Sequence, residues 1–387
     1  MIRLRDWQQQ AWNAWMSNNC RGIITAATGS GKSHLFLKMI EAYPESKILI
    51  VVPTQHLMIQ HKELIETTFP ELRAGLIGDG LNDERRVSIA IINSVRERKL
   101  DFNILVGDEC HRMFSCINSL IFRNCFDKIM LLTATLERED GAHEQFIKDL
   151  SIVYSINQGD CIKQRLLCSY TLNNVAINLT PEELEEYNEA DEYVKEHFKD
   201  FKSMSNVLKH LYHPVARQLN RAIQKRKSVV LNARNKLKFT AKLLLETPER
   251  KTIVFCEFKK SADVLHEVLK DKIKVGLYHS GLKMKERRSM LERFKNDELK
   301  TLITVKCLDE GLNVVNCERA IIVGGSSVER QFLQRVGRIL RPSGEKTAEV
   351  LQLYAPLTKD EDWAVKRIEG IDKSLVKVSF TSFINQS

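Results

Sequence analysis

The stretch Ala26-Ala27-Thr28-Gly29-Ser30-Gly31-Lys32-Ser33 decides how this chain of 387 residues begins to fold. An apolar run at 22–25 leads into it, and Leu35-Phe36-Leu37-Lys38-Met39-Ile40 follows with the character of a helix. A glycine-rich turn between a strand and a helix lets successive backbone N–H groups close around a phosphate, at the positive end of the helix dipole. Ala26 stands where the pattern usually opens with glycine, a mild change because its side chain is small. The loop therefore predicts a nucleotide site made of Thr28, Gly29, Ser30, Gly31, Lys32 and Ser33. The Lys32 ammonium is expected on the β/γ-phosphate oxygens and the Ser33 hydroxyl on a magnesium ion.

A partner for that loop stands at Asp108-Glu109-Cys110-His111. The run Asn103-Ile104-Leu105-Val106-Gly107 has the composition of a buried strand and delivers Asp108 to its end, as a second magnesium group. Glu109 is placed to orient or deprotonate an attacking water. Hydrolysis of a nucleoside triphosphate with Mg2+ is the chemistry that this pair of motifs predicts. Cys110 reads as a packing residue and not a nucleophile. His111 reads as a switch contact, since no second histidine stands at metal-ligand spacing.

Outward from these motifs the chain alternates strands and helices twice. Strands are expected at 22–25, 48–52, 87–92, 103–107 and 128–132, then again at 252–256, 272–277, 301–305, 319–323 and 348–354. Helices are expected from Gly31 and near Gln55 in the first series, and at 260–270, 285–296 and 328–339 in the second. That alternation is the pattern of parallel sheets covered by helices, with ligands at the strands' C-terminal ends. Two α/β domains are predicted, at 1–150 and 251–360, with a short tail at 361–387. Between them, 151–250 is expected to be a connecting segment with a basic helical insertion. Thr180-Pro181-Glu182-Glu183 is a capping box that starts a helix there. Trp7, Trp12 and Trp15 fall at helical spacing and are expected in a core.

Composition limits the remaining choices. No apolar run approaches the roughly 20 residues needed to cross a bilayer. Nine cysteines without a C-x-x-C pair suit reduced thiols in a cytoplasmic setting. The net charge of +9 is concentrated: thirteen Lys/Arg and two acids lie between Lys195 and Lys242, a surplus of 11 that leaves −2 for the remainder. Such a stretch is the footprint of polyanion binding or else a solvated helix face. Its candidate contacts are Arg217, Arg221, Lys225, Arg226, Lys227 and Arg234.

Taken in order, the motifs resemble those of the helicases of superfamily two, which include the DEAD-box, DEAH-box and RecG-like enzymes. Leu4-Arg5-Asp6-Trp7-Gln8 resembles the glutamine motif, and Ala27–Ser33 motif I. Val52-Pro53-Thr54-Gln55 with Leu57 resembles motif Ia, Asp108–His111 motif II and Thr133-Ala134-Thr135 motif III. Phe255-Cys256 and His279-Ser280-Gly281 stand where motif IV and its successor occur. Asp309-Glu310-Gly311-Leu312-Asn313 is similar to motif V, and Gln334-Arg335-Val336-Gly337-Arg338-Ile339-Leu340-Arg341-Pro342 to motif VI. The layout is more similar to the RecG, UvsW and type III restriction branch than to the DEAD-box branch. Departures are Ala26, Val305 where threonine is frequent, and Asn313 where aspartate is common.

The resemblance implies two tandem RecA-like domains and an ATP-dependent DNA helicase or translocase. An RNA helicase, or a clamp that uses nucleotide only as a switch, are the alternatives. It implies that Gln8 reads adenine, that Gly311 and Asn313 contact the ribose, and that Arg338 and Arg341 act as arginine fingers with Gln334 beside the γ-phosphate. It implies that Thr133 and Thr135 relay closure, and that nucleic acid meets Pro53, Thr54, Gln55, Asn93, Ser94, Ser280, Gly281 and Thr304. DNA is the expected partner. The compact build invites comparison with phage replication and recombination enzymes, whose companion proteins would be further partners.

Overall fold

A computed structural model describes residues 2–134, 136, 141–167, 169–201, 203–305, 317–325, 348–368 and 376–383. The chain separates into two compact units, divided after Leu167.

The first unit contains α1 (Asp6–Ser17), β1 (Arg21–Ala26), α2 (Ser33–Ala42), β2 (Ile48–Val52), α3 (Gln55–Thr68), β3 (Gly75–Gly78), β4 (Leu81–Asp83), β5 (Val87–Ile91), α4 (Ile92–Val95), β6 (Ile104–Asp108), β7 (Lys128–Thr133), α5 (His143–Asp149), β8 (Ile152–Ile156) and α6 (Gln158–Lys163). Its eight-stranded sheet has the order β4-β3-β5-β2-β6-β7-β1-β8. The pairings are parallel except that of β3 with β4. β2, with the sequence Ile-Leu-Ile-Val-Val, is buried at every position. A continuous apolar run, without alternation, is what a strand covered on both faces requires. Trp7, Trp12 and Trp15 on α1 are all buried, and the Trp15 indole N–H donates to the Ile129 carbonyl at 2.9 Å.

The second unit contains β9 (Tyr170–Ile177), α7 (Pro181–Phe201), α8 (Met204–Lys209), α9 (Pro214–Leu231), α10 (Arg234–Glu246), β10 (Thr252–Cys256), α11 (Lys259–Leu269), β11 (Val275–Tyr278), α12 (Met284–Lys295), β12 (Thr301–Val305), β13 (Arg319–Ile322), β14 (Ala348–Tyr354), α13 (Lys359–Arg367) and β15 (Lys377–Phe383). The sheet order is β11-β12-β10-β13-β14-β9-β15, parallel throughout. Two parallel α/β sheets are thus the architecture, as the alternating pattern predicts.

The structure differs from the sequence reading around both ends of this unit. Residues 151–250 are not only helical: they supply β8 to the first sheet and β9 to the second. β9 carries Asn173-Asn174 in mid-strand, which breaks the apolar run by which a buried strand is recognised. The structure satisfies Asn174 across the sheet: its Oδ1 accepts from Gln352 Nε2 at 2.9 Å, and its Nδ2 donates to the Ser379 carbonyl at 3.1 Å. The expected tail at 361–387 likewise contributes α13 and an edge strand, β15, which pairs with β9 over seven residues. The capping box at α7 forms as expected. Glu183 N donates to Thr180 Oγ1 at 3.3 Å, and Thr180 N to Glu183 Oε2 at 3.1 Å.

Candidate active site

In the first sheet β7 lies between β6 and β1. The end of β6 and the loop after β1 are therefore two strand spacings apart, about 10 Å. That gap has the scale of a phosphate chain with a hydrated cation. The loop after β1 is shaped by Gly29 and Gly31, whose φ angles of 87° and 99° belong to the region that favours glycine. The buried hydroxyls of Thr28 and Ser30 have no hydrogen-bond partner among the described residues. Lys32 Nζ donates to the loop's own carbonyls, Ala26 at 2.8 Å and Ala27 at 3.4 Å. Backbone amides in a left-handed turn, two orphaned hydroxyls and a lysine held only by the loop make a donor set that fits a triphosphate.

Asp108 closes β6 and is 9% exposed. Its Oδ2 accepts from His61 Nε2 at 2.8 Å and its Oδ1 from the Glu109 N–H at 3.0 Å. Burial pushes the Asp108 carboxyl up. The hydrogen bond and charge of His61, the Lys32 ammonium and the Glu109 N–H outweigh that effect and hold it below its ordinary range. An ionised carboxylate with lone pairs still to offer, together with the Ser33 hydroxyl on the first turn of α2, is oxygen chemistry suited to magnesium.

Glu109 has φ 51° and ψ 47°, left-handed backbone on a residue that carries a side chain. Such a conformation costs roughly 1–2 kcal/mol, and strain of this kind collects at functional positions. It turns the chain sharply off the strand, so Asp108 and Glu109 do not alternate to opposite faces of a continuing strand. The Glu109 carboxylate Oε2 lies 3.4 Å from His111 Nδ1, and that nitrogen is 3.1 Å from Thr133 Oγ1. His111 therefore links motif II to the end of β7. Burial, with the Glu109 and Asp108 carboxylates adding to it, raises the Cys110 thiol well above its ordinary value, which agrees with a packing role.

Gln8, which the resemblance casts as the adenine reader, is anchored at both ends of its side-chain amide. It is 1% exposed; its Oε1 accepts from Arg5 N at 2.8 Å and its Nε2 donates to the Gly31 carbonyl at 2.9 Å. In this structure Gln8 staples α1 to the phosphate loop. A cavity of about 690 Å³ lies against the same segment, lined by Arg3, Arg5, Asp6, Trp7, Gln10, Gln164 and Leu166 among others. Its size is that of a small-molecule pocket. Gln164 and Leu166 reach it from beyond α6, and nothing in their local sequence places them beside α1.

The residues expected to meet nucleic acid divide into two groups. Pro53, Thr54, Gln55, Asn93 and Ser94 follow β2 and β5 at the C-terminal edge of the first sheet. Thr54 caps α3, and Gln55 Nε2 donates to the Asp79 carboxylate. In the second unit Ser280 and Gly281 are exposed after β11. His279 holds their loop: its Nε2 donates to Asp263 Oδ1 at 2.8 Å and its Nδ1 accepts from Gly281 N at 3.0 Å. A Cβ on Gly281 would fall 2.9 Å from the His279 ring and 3.6 Å from Lys259 Nζ. Exposed Lys259 therefore adds positive charge at this loop, a contact the sequence reading missed. Thr304 is the exception, since it is fully buried within β12 and presents nothing to solvent.

The basic stretch is also revised. α7 carries nine acids and two lysines, whereas α9 has five basic residues and no acid, so the two helices together sum to −2. Arg226 Nη1 donates to Asp191 Oδ1 at 2.6 Å, and Lys225 Nζ lies 3.5 Å from Glu186 and 3.7 Å from Glu189. The surplus counted from Lys195 onward left out the acids just before it, which fold against it. Arg221 stays exposed and Lys227 half-buried. Arg226→Ala is expected to cost about 1–3 kcal/mol by leaving Asp191 short of a partner. Thermal unfolding checks this, and an unchanged midpoint would make the pair ornamental.

Thr135, Gly311, Asn313, Gln334, Arg338 and Arg341 lie outside the described residues. Among the described residues, no helix is long and apolar enough to cross a membrane, and no cluster of three or more His, Cys, Asp or Glu forms a metal cage. Cys20, Cys110, Cys116, Cys125, Cys161 and Cys317 are free thiols.

Two family models match the chain: "Type III restriction enzyme, res subunit" over residues 1–138 and "Helicase conserved C-terminal domain" over 235–343. The chain is 30% identical over 386 residues to the DNA 3'-5' translocase XPB2 of Sulfurisphaera tokodaii, covering 95% of this chain and 85% of that protein. It is 25% identical to the putative DNA 3'-5' helicase Rad25 of Haloarcula marismortui, over 98% of this chain and 57% of that one. In fold it is similar to S. cerevisiae Dbp5 bound to RNA and ADP BeF3, with a TM-score of 0.66 at 14% identity, over 97% of this chain and 89% of that chain. With 30% identity along nearly the whole chain to a DNA 3'-5' translocase, and with restriction-subunit and helicase family models matching its N- and C-terminal parts, the chain belongs to the superfamily two helicases.

Proposed function

We propose that this protein is an ATP-dependent DNA helicase or translocase. The observation that carries the reading is the built hydrolytic pair at the end of β6. Asp108 is fixed at both oxygens, and Glu109 is turned off the strand by a left-handed backbone. The preference for DNA rests on the likeness to a DNA translocase along nearly the whole chain.

On this reading the Gly29–Gly31 amides, with the Thr28 and Ser30 hydroxyls, receive the phosphates. Lys32 exchanges the loop carbonyls for phosphate oxygens. The Arg3 and Arg5 guanidiniums line the neighbouring cavity, where a planar base fits. Ser33 and Asp108 hold Mg2+, which when bound neutralises charge on the phosphate oxygens. Glu109 orients the attacking water and takes its proton. Gly311 and Asn313 contact the ribose. Gln334, Arg338 and Arg341 complete the stabilisation of the γ-phosphoryl group, a role that supplies on the order of 10³–10⁵ in rate. Hydrolysis is thereby geared to movement along the strand, since separating stacked base pairs costs roughly 1.4 kcal/mol per step.

Backbone amides and short hydroxyls at Pro53–Gln55, Asn93, Ser94, Ser280 and Gly281 suit phosphate contact without base readout. Lys259 joins them, with Arg221 and Lys227 as the remaining basic candidates on α9. Replacing Lys259 with alanine is expected to weaken DNA binding regardless of sequence and to reduce the slope of log affinity against log salt by about 1. A slope equal to that of the unmodified protein would remove Lys259 from the track. The whole reading is tested by ATPase rates measured with single-stranded, duplex and forked DNA and with RNA. Strong stimulation by a DNA form is expected. Stimulation by RNA alone would reassign the substrate, and none by any of the four would overturn the motor.

A further inference from the structure

His61 was marked by no motif, yet it sits at the centre of the nucleotide site. It lies on the second turn of α3, is 2% exposed, and gives Nε2–H to Asp108 Oδ2 at 2.8 Å. A carboxylate only accepts, so the proton of that bond belongs to the imidazole. The ring also packs on Phe36 of α2, centroid to centroid 4.7 Å, which ties it to the helix that begins at the phosphate loop. Its other nitrogen, Nδ1, has no hydrogen-bond partner among the described residues. The Asp108 contact is thus the single polar interaction that orients this ring. A buried histidine whose one bond goes to a metal-binding carboxylate resembles an outer-sphere ligand support more than a packing residue.

We infer that His61 is a positioning residue for magnesium: it fixes the Asp108 carboxylate so that the free lone pairs of that group face the cation. This inference rests on the nucleotide-site reading above. With the Glu109 N–H holding Oδ1 and His61 holding Oδ2, rotation of the carboxylate about its Cβ–Cγ bond is blocked from both sides. Removing the imidazole leaves the carboxylate with one anchor. It then samples orientations that do not meet the metal, and affinity falls although no ligand has been removed.

The test titrates Mg2+ against binding of a fluorescent, non-hydrolysable ATP analogue to the full chain, for the unmodified protein, His61→Leu and His61→Gln. Leucine keeps the contact with Phe36 and loses the donor, whereas the glutamine amide reaches where Nε2 stood. His61→Leu is expected to raise the half-saturating Mg2+ concentration about 10–100-fold, and His61→Gln to restore a midpoint close to the unmodified one. An unchanged midpoint in His61→Leu would overturn the inference, and so would a glutamine variant as impaired as the leucine one. If the unmodified protein binds the analogue with no dependence on Mg2+, the nucleotide-site reading itself has failed and the inference falls with it.

Discussion

Glu109→Gln is expected to lower ATP turnover by about 10²–10⁴-fold while leaving ATP and polynucleotide binding in place. The amide is nearly isosteric with the carboxylate, so the left-handed turn at φ 51° and the neighbouring His111 imidazole at 3.4 Å keep their surroundings. What is lost is the capacity to accept a proton from water. Neither the phosphate loop nor Asp108 is touched, hence bound ATP accumulates. Steady-state phosphate release, set beside equilibrium binding of ATP and of single-stranded DNA, separates the outcomes. Turnover at the unmodified rate would take Glu109 out of the chemistry. Loss of ATP binding along with turnover would show that it shapes the site and does not act in it.

The second large effect concerns stability. Lys236 and Asp360 are both fully buried in the second unit and meet at 2.5 Å. Asp360 also accepts from Ala355 N at 3.0 Å and from Arg367 Nη2 at 3.4 Å, and Arg367 continues to the Gly325 carbonyl at 2.9 Å and to Gln352 Oε1 at 3.1 Å. This network joins α10, β14 and α13 through side chains that have no access to water. Burial pulls the Lys236 ammonium below its ordinary range, and the Asp360 carboxylate opposes that pull. Asp360→Ala strands two cations at once and is expected to cost about 3–5 kcal/mol. For a unit of this size that is a fall of roughly 6–20 °C in midpoint. Lys236→Met should cost less, because Asp360 keeps Arg367 and the Ala355 N–H. Thermal unfolding of the two variants side by side checks the order. A milder loss for Asp360→Ala would mean that water or a rearranged Arg367 relieves the site.

The same two predictions mark how far the sequence reached. Glu109 is proposed as the water-activating group from four residues at the end of an apolar run, because a carboxylate just past a strand end has few alternatives near a phosphate loop. Its left-handed backbone was not legible, since nothing in Asp-Glu-Cys-His forces φ above zero. Nothing in the local sequence marks Lys236, Asp360 and Arg367 as partners, since Lys236 lies far from the other two along the chain. Only the packing of α10 and α13 against β14 takes them out of water together.

His61 illustrates the same divide within the catalytic site. Its place in a helix beginning near Gln55 was expected, but its approach to Asp108, forty-seven residues further along the chain, depends on β2 and β6 lying side by side. The charge of α9 taught the converse. A window beginning at Lys195 suggested a polyanion site or a solvated helix face, whereas α7 turns back with its acids and neutralises much of the charge.

The amino-acid order by itself determined the alternation of strands and helices, the phosphate-loop motif, the acidic motif at the end of β6 and the family. These are local patterns, set by periodicity and by motifs that lie contiguous along the chain. Tertiary structure alone decided which charges are paired, that β9 and β15 complete the second sheet, that Gln8 staples the loop, and that a histidine steadies Asp108. Each of those depends on groups distant in sequence meeting, and where they meet away from water, as at Lys236 and Asp360, a hydrogen bond or a charge counts far more than it does along an exposed chain.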